Sequence, residues 1–194
     1  MITFEQLAGW SALVAAVATV VGAVFLVLFF SRGQPWGTLN DIASVVLMIA
    51  TIPVAGLIAT IEAERFATIA YLAAALGVAG MLAAAGFQSA LVARLRTYEQ
   101  LLPWTLGAGV VVGAWYILAG VLALPGGLPE PLPWLMILAG LGFVAIGYGF
   151  AAAGQRHPLA IVGGVSLLVA STIFFTLLGL RLLAGDLAIP TWNL

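Results

Sequence analysis

Chemistry that needs a charged or titratable side chain has few places to occur in this chain. Its 194 residues include six basic and seven acidic ones, all six basic residues are Arg, and the one histidine is His157. Asp41, Arg94, Arg96, Arg156 and His157 are the side chains whose types could build a site. Guanidinium groups bind a phosphate headgroup or a nucleotide through two parallel hydrogen bonds. An imidazole exchanges protons near neutral pH, and Asp41 would add a carboxylate. Arg32, Asn40, Tyr98, Glu99 and Gln155 fall in the same set of loops and helix ends. An ordinary reading covers the same residues: connections between apolar segments are polar, Arg anchors a membrane edge, and Asp41 sits where a helix cap would.

Other chemistry is excluded by composition. The chain has no cysteine, which removes disulfides, thiolate nucleophiles, iron–sulfur clusters and thiolate zinc sites. It has no lysine, so no Schiff base to retinal or pyridoxal phosphate can form. One histidine cannot supply two axial haem ligands within a chain. No HExxH, P-loop, CxxC or nucleophile motif is present, so no cofactor, metal or catalytic residue is expected. The net charge of -1 and the lack of a basic run argue against a nucleic-acid partner.

The elements that position these residues are membrane helices. Hydrophobic residues make up 64% of the chain and charged residues 7%, against roughly 25% charged in a soluble domain. Six stretches reach the roughly 20 apolar residues that a span needs: about 8–30, 38–61, 66–93, 101–124, 132–153 and 158–184. They predict one all-α domain over residues 1–194, a bundle of six transmembrane helices whose chief partner is the lipid bilayer. The charged run Glu62 to Arg65 reads as a turn between the second and third spans. Thr3 to Gln6, Thr38 to Asp41 and Thr97 to Gln100 each have capping-box spacing. Pro53 predicts a kink, because it leaves the Ile49 carbonyl without its helical donor.

Five of the six tryptophans fall near predicted membrane edges: Trp10, Trp36, Trp104, Trp134 and Trp192. Indoles settle at that level. Arg32, Arg94, Arg96 and Arg156 lie in the first, third and fifth connections, and Arg65 and Arg181 on the opposite side. The positive-inside rule then places both termini outside the cytoplasm. The N-terminus has no Arg before Arg32, so the first apolar run reads as a retained span rather than a signal peptide. Pro35-Trp36 and Pro133-Trp134 raise the alternative of two inverted three-helix halves.

Small residues, among them Gly109, Gly113, Gly140, Gly142, Gly147, Gly149, Gly163 and Gly164, suit either close packing within the monomer or a homo-oligomer face. Tyr148 between two glycines, and Trp115-Tyr116 in the fourth span, could line a pocket for a lipophile or fill that gap themselves. Arg181 near the end of the last span is expected to snorkel outward or pair with Glu62, Glu64 or Asp186.

The run Gly33-Gln34-Pro35-Trp36-Gly37-Thr38-Leu39-Asn40-Asp41, followed by an apolar helix with Ile52-Pro53, resembles a family of uncharacterised multi-pass bacterial membrane proteins. His157-Pro158-Leu159 and the ending Leu178-Gly179-Leu180-Arg181-Leu182-Leu183 are similar to that family as well. The resemblance implies the helix layout and a bacterial inner membrane. It implies no activity and no functional residues. The functional expectation is a structural or accessory membrane component without enzymatic activity, alone or with other membrane subunits. Its rivals are a carrier or binder of a small lipophilic or lipid-like ligand and, third, an enzyme acting on lipid headgroups. A cavity near Tyr148 and Trp115 would favour the binder, a polar cleft around Asp41, Arg94 and His157 the enzyme, and a filled core the structural component.

Overall fold

Helix is the only regular structure that pairs every backbone group within a single apolar segment, and the chain forms it almost throughout. The computed structural model describes residues 2–187. Its helices are α1 (Phe4–Arg32), α2 (Trp36–Val92), α3 (Tyr98–Ala123), α4 (Leu132–Ala153) and α5 (Pro158–Ala184), with a short 3-10 turn at Gly154–Arg156. All five are long and apolar enough to cross a membrane. Trp192 lies outside the described residues.

The count differs from the six helices expected, and the reason is local. Gly33 and Pro35, Pro125 and Gly126, and Gly154 stop helices where the sequence says they should. Glu62-Ala63-Glu64-Arg65 contains no such residue, and all four side chains are good helix formers. Charge alone makes no turn, so helix continues through them and α2 runs for 57 residues. The break comes at Phe66, whose φ of -136° and ψ of 46° are not helical. It is a sharp one. Tyr116 reaches Thr51, while its neighbour Trp115 packs on Gly77. Thr51 and Gly77 would lie about 39 Å apart along a straight helix, so α2 doubles back at Phe66. Helical dihedrals continue through Pro53, where a kink was expected.

Two of the three capping boxes form. The Thr3 amide donates to Gln6 Oε1 and the Gln6 amide to Thr3 Oγ1, each at 3.2 Å; the Thr97 amide donates to Gln100 Oε1 at 3.1 Å. The third does not. Helix α2 begins two residues before Thr38, and the Thr38 amide donates back to Gln34 Oε1 instead. Asp41 is therefore not a cap.

The helices close into a ring in chain order. Among the described residues each helix packs only on its sequence neighbours, and α5 completes the circuit against α1. Neighbours run antiparallel, which puts Arg32, Arg94, Arg96 and Arg156 at one end, here the Arg-rich end. Glu62, the α3–α4 loop and the start of α1 lie at the other. Glycine lets the backbones meet: a Cβ on Gly140 would stand 2.5 Å from the Gly113 carbonyl oxygen, and one on Gly163 2.7 Å from that of Gly142. These contacts lie between helices of one chain. Trp10, Trp104 and Trp134 are exposed on the outside, as interface indoles are.

Candidate functional site

The ring is not filled evenly. Toward the Glu62 end it is solid: Ala8, Ala12, Leu57, Ala123, Leu132, Met136 and Leu178 have no exposed surface. Toward the Arg-rich end it holds a chamber of about 160 Å³. All five helices line it. Thr19, Gly22 and Leu26 come from α1, Asn40, Ser44, Met48 and Thr51 from α2, Val112 and Tyr116 from α3, Phe143 and Ile146 from α4, and Gly164, Leu168, Ser171 and Phe175 from α5.

Depth follows from the helix register. Asn40 and Thr51 are eleven residues apart, about 16 Å along a helix. Thr51, Val112, Tyr116, Ser171 and Phe175 are buried and form the floor; Leu26 is exposed, and Asn40 and Ser44 are partly so, forming the mouth. The chamber thus opens at the Arg-rich end and stops near the middle of the bundle. Its aromatic floor is rigid, since the Tyr116 ring contacts Trp115, Phe143, Phe174 and Phe175 at centroid distances of 4.6 to 6.4 Å.

The lining is apolar with hydroxyl punctuation. Thr19 donates to the Ala15 carbonyl at 2.8 Å, Thr51 to that of Leu47 at 2.7 Å, and Ser171 to that of Leu167. Each hydroxyl is satisfied as a donor by its own helix and keeps acceptor capacity, which Thr51 shares with the neighbouring Tyr116 hydroxyl. Asn40 and Ser44 add an amide and a hydroxyl at the mouth. Among the described residues, no carboxylate, imidazole or guanidinium lines the space. The arrangement can hold an apolar molecule and hydrogen-bond one or two polar groups on it.

The site residues singled out from sequence lie elsewhere. Arg94 and Arg96 are exposed in the α2–α3 connection, where Arg94 takes a φ of 56°. Arg156 is exposed on the 3-10 turn. His157 caps α5, its Nδ1 accepting from the Leu159 amide at 3.2 Å. Asp41 follows Asn40 by one residue, which turns it about 100° around the helix and leaves it out of the chamber. Its carboxylate comes close to Tyr98 instead. At that point, ahead of the apolar stretch 101–124, burial raises the Tyr98 phenol above its ordinary value, and the Asp41 and Glu99 carboxylates add to the effect. The five residues share an end of the bundle, and the chamber takes none of them.

Of the aromatics, Tyr148 is 62% exposed on the outer surface beside His157, and Trp115 is buried against Gly77. Tyr116 is the one that reaches the chamber. Thr19, Ser44 and Ser171 drew no attention in the sequence, and Thr51 stood out only as a neighbour of Pro53 able to satisfy a freed backbone group, although hydroxyls inside apolar spans were a usable signal.

The chain matches no protein-family model, no curated protein and no solved structure.

Proposed function

We propose that this protein is a membrane carrier or binder of a small lipophilic molecule, held in the chamber between Asn40 and Tyr116. The carrying observation is the chamber itself: about 160 Å³ of apolar-walled space, shared by all five helices and open at one end. An apolar cavity of roughly 150 Å³ is enough to bind benzene, so the occupant's buried part is a segment of about six carbons. Hydroxyl acceptors at the floor and Asn40 at the mouth suit a ligand with a hydroxyl or amide at one end. A structural component would be expected to pack this volume with side chains, as the opposite half does.

In the membrane, the chain is read as crossing six times, with the two arms of α2 counted separately. The spans 8–30, 38–61 and 66–93 form one three-helix half and 101–124, 132–153 and 158–184 an inverted second. The four-to-two Arg bias supports a cytoplasmic Arg-rich end, and the composition supports a bacterial inner membrane. The chamber would then open to the cytoplasm.

Gly164 supplies the test. A Cβ at Gly164 meets nothing within 4 Å and enters the chamber, so Gly164→Leu fills it without a backbone clash. Titration with 1-hexanol should raise the thermal unfolding midpoint of the parent, because a ligand that binds only the folded state stabilises it. The same titration should leave Gly164→Leu unmoved. Equal responses in both proteins would reject the chamber as the site.

A further inference from the structure

Glu62 stands apart from everything used so far. It belongs to the charged run between the apolar stretches 38–61 and 66–93, is 2% exposed, and has both carboxyl oxygens buried without a hydrogen-bond partner. The α3–α4 loop covers it. Gly127 lies directly against the carboxyl, leaving no room for a side chain there, and Leu128 is buried beside it. Arg65, three residues on, is near enough for its charge to act on Glu62 but gives its carboxyl no hydrogen bond: its Nη1 donates to the Pro125 carbonyl in the same loop. The hinge of α2 at Phe66 follows immediately.

An anion in that position has lost its water and gained no donor, and such groups become neutral rather than stay charged. Burial accordingly raises the Glu62 carboxyl above its ordinary value of 4.5, with Arg65 opposing. A metal cation suits the place less well than a proton. A guanidinium stands nearby, and the described residues hold no group of three or more His, Cys, Asp or Glu. The remaining charged groups of this end are Glu5 on α1, Glu64 on α2, Glu130 in the loop, Arg181 on α5 and Asp186 after it. Glu64, Glu130 and Asp186 are exposed, and Glu5 and Arg181 partly so.

We infer that Glu62 is a proton-binding site that latches the α3–α4 loop over the closed end of the bundle. With the loop down, Glu62 is the neutral acid under Gly127. When the loop lifts, the proton leaves to water, Arg65 releases the Pro125 carbonyl, and the guanidinium pairs with the new carboxylate. The latch does not depend on what fills the chamber. The closed form binds the proton more tightly, so it is favoured at low pH and lost as pH rises through the closed-state value, which lies above 4.5. Between the open-state value and the closed-state value each pH unit shifts the equilibrium toward open by about tenfold, and above the closed-state value the shift is complete.

The absence of native cysteine makes the test clean. Leu128→Cys buries a thiol under the loop, and Pro129→Cys exposes one beside it as the reference for intrinsic thiol reactivity. Maleimide labelling rates are measured on both variants as purified full-length protein. The rate for Leu128→Cys divided by the rate for Pro129→Cys should rise by at least about tenfold between pH 5 and pH 9. Adding Glu62→Gln to both should hold the ratio low and flat. A flat ratio with Glu62 present, a rise that survives Glu62→Gln, or a ratio that follows sodium or potassium concentration instead of pH would each overturn the proton site. If Leu128→Cys does not assemble, infrared titration of the cysteine-free chain decides. A protonated-carboxyl band that Glu62→Gln removes, and that persists to higher pH than the bands of the exposed carboxyls, supports the latch; a Glu62 band lost together with theirs overturns it.

Discussion

The two ends of the bundle are built from the same kinds of residue and come out opposite. At the Glu62 end, alanine, leucine and glycine interlock until nothing is left over: Gly179 backs onto the Gly9 carbonyl, and Gly120 onto that of Pro133. At the Arg-rich end, Gly164 faces open space, and Thr19, Ser44 and Ser171 stand where larger apolar side chains would close it. Glycine therefore has two uses here. Against a neighbouring backbone it brings helices together, which in lipid is a main source of association. Against a void it keeps the void empty. Composition does not separate the two uses; the neighbour across the gap does.

The sharpest way to break this contrast is to put the same side chain on both kinds of glycine. Gly120→Leu drives a Cβ to 2.8 Å from the Pro133 carbonyl oxygen. It should cost about 3 kcal/mol or more, or prevent assembly, since overpacking a filled core costs about 1–3 kcal/mol and backbone offers no relief. Gly164→Leu should stay within about 0.5 kcal/mol of the parent or stabilise it, as cavity filling does. Thermal unfolding in detergent measures both. Comparable losses at the two sites would mean that the chamber is not open space.

Truncation gives the next largest difference. Leu178, fully buried in the solid half, should lose about 2–5 kcal/mol on replacement by Ala. Leu168, on the chamber wall and half-buried, already has a void on one side and should lose about 1–2 kcal/mol. Equal losses would place both in one continuous core.

Within the chamber, Thr51→Val removes an acceptor at nearly constant volume. It should weaken 1-hexanol binding about fivefold, the loss of one ordinary hydrogen bond of about 1 kcal/mol, with little change in folding. Unchanged binding would show that the floor hydroxyls do not touch the ligand.

The smallest effects are expected at the residues that first drew attention. Arg94→Lys, Arg96→Lys and Arg156→Lys keep charge at the membrane edge and lie outside the chamber, so lipophile co-purifying with each variant should match the parent by mass spectrometry. A loss specific to these variants would move the site to the Arg-rich surface, where a bidentate contact that Lys cannot make would be at work. Cysteine at Leu95, which is 71% exposed, should resist an impermeant reagent in intact cells, while cysteine at Pro129 should label. The reverse would turn the chamber mouth outward.

Much of the fold is legible in residue order. Helices α4 and α5 begin and end where Pro and Gly say they should, and the boxes at Thr3 and Thr97 set the starts of α1 and α3. The hinge of α2 was read as a turn over Glu62 to Arg65 and falls at Phe66, the residue after them, because a charged run was taken for a turn although its side chains favour helix. Of the chamber, Tyr116 was legible as a pocket-lining aromatic, and the rest was not. Its lining comes from five helices, and whether Gly164 faces Gly142 or empty space is decided by a rotation of α5 that no local pattern carries. Polar residues in loops were conspicuous for being polar, whereas Thr19 and Ser171 were hidden because their hydroxyls bond their own helices.

The claim that the hollow half is a ligand site is tested most directly by locating a ligand in it. Crystals of the protein soaked with 6-bromo-1-hexanol should show an anomalous bromine peak inside the ring, between Gly164, Tyr116 and Phe175, and Gly164→Leu crystals should lack it. Bromine found only on the lipid-facing surface of the helices, or persisting in the chamber region of Gly164→Leu, would contradict the account.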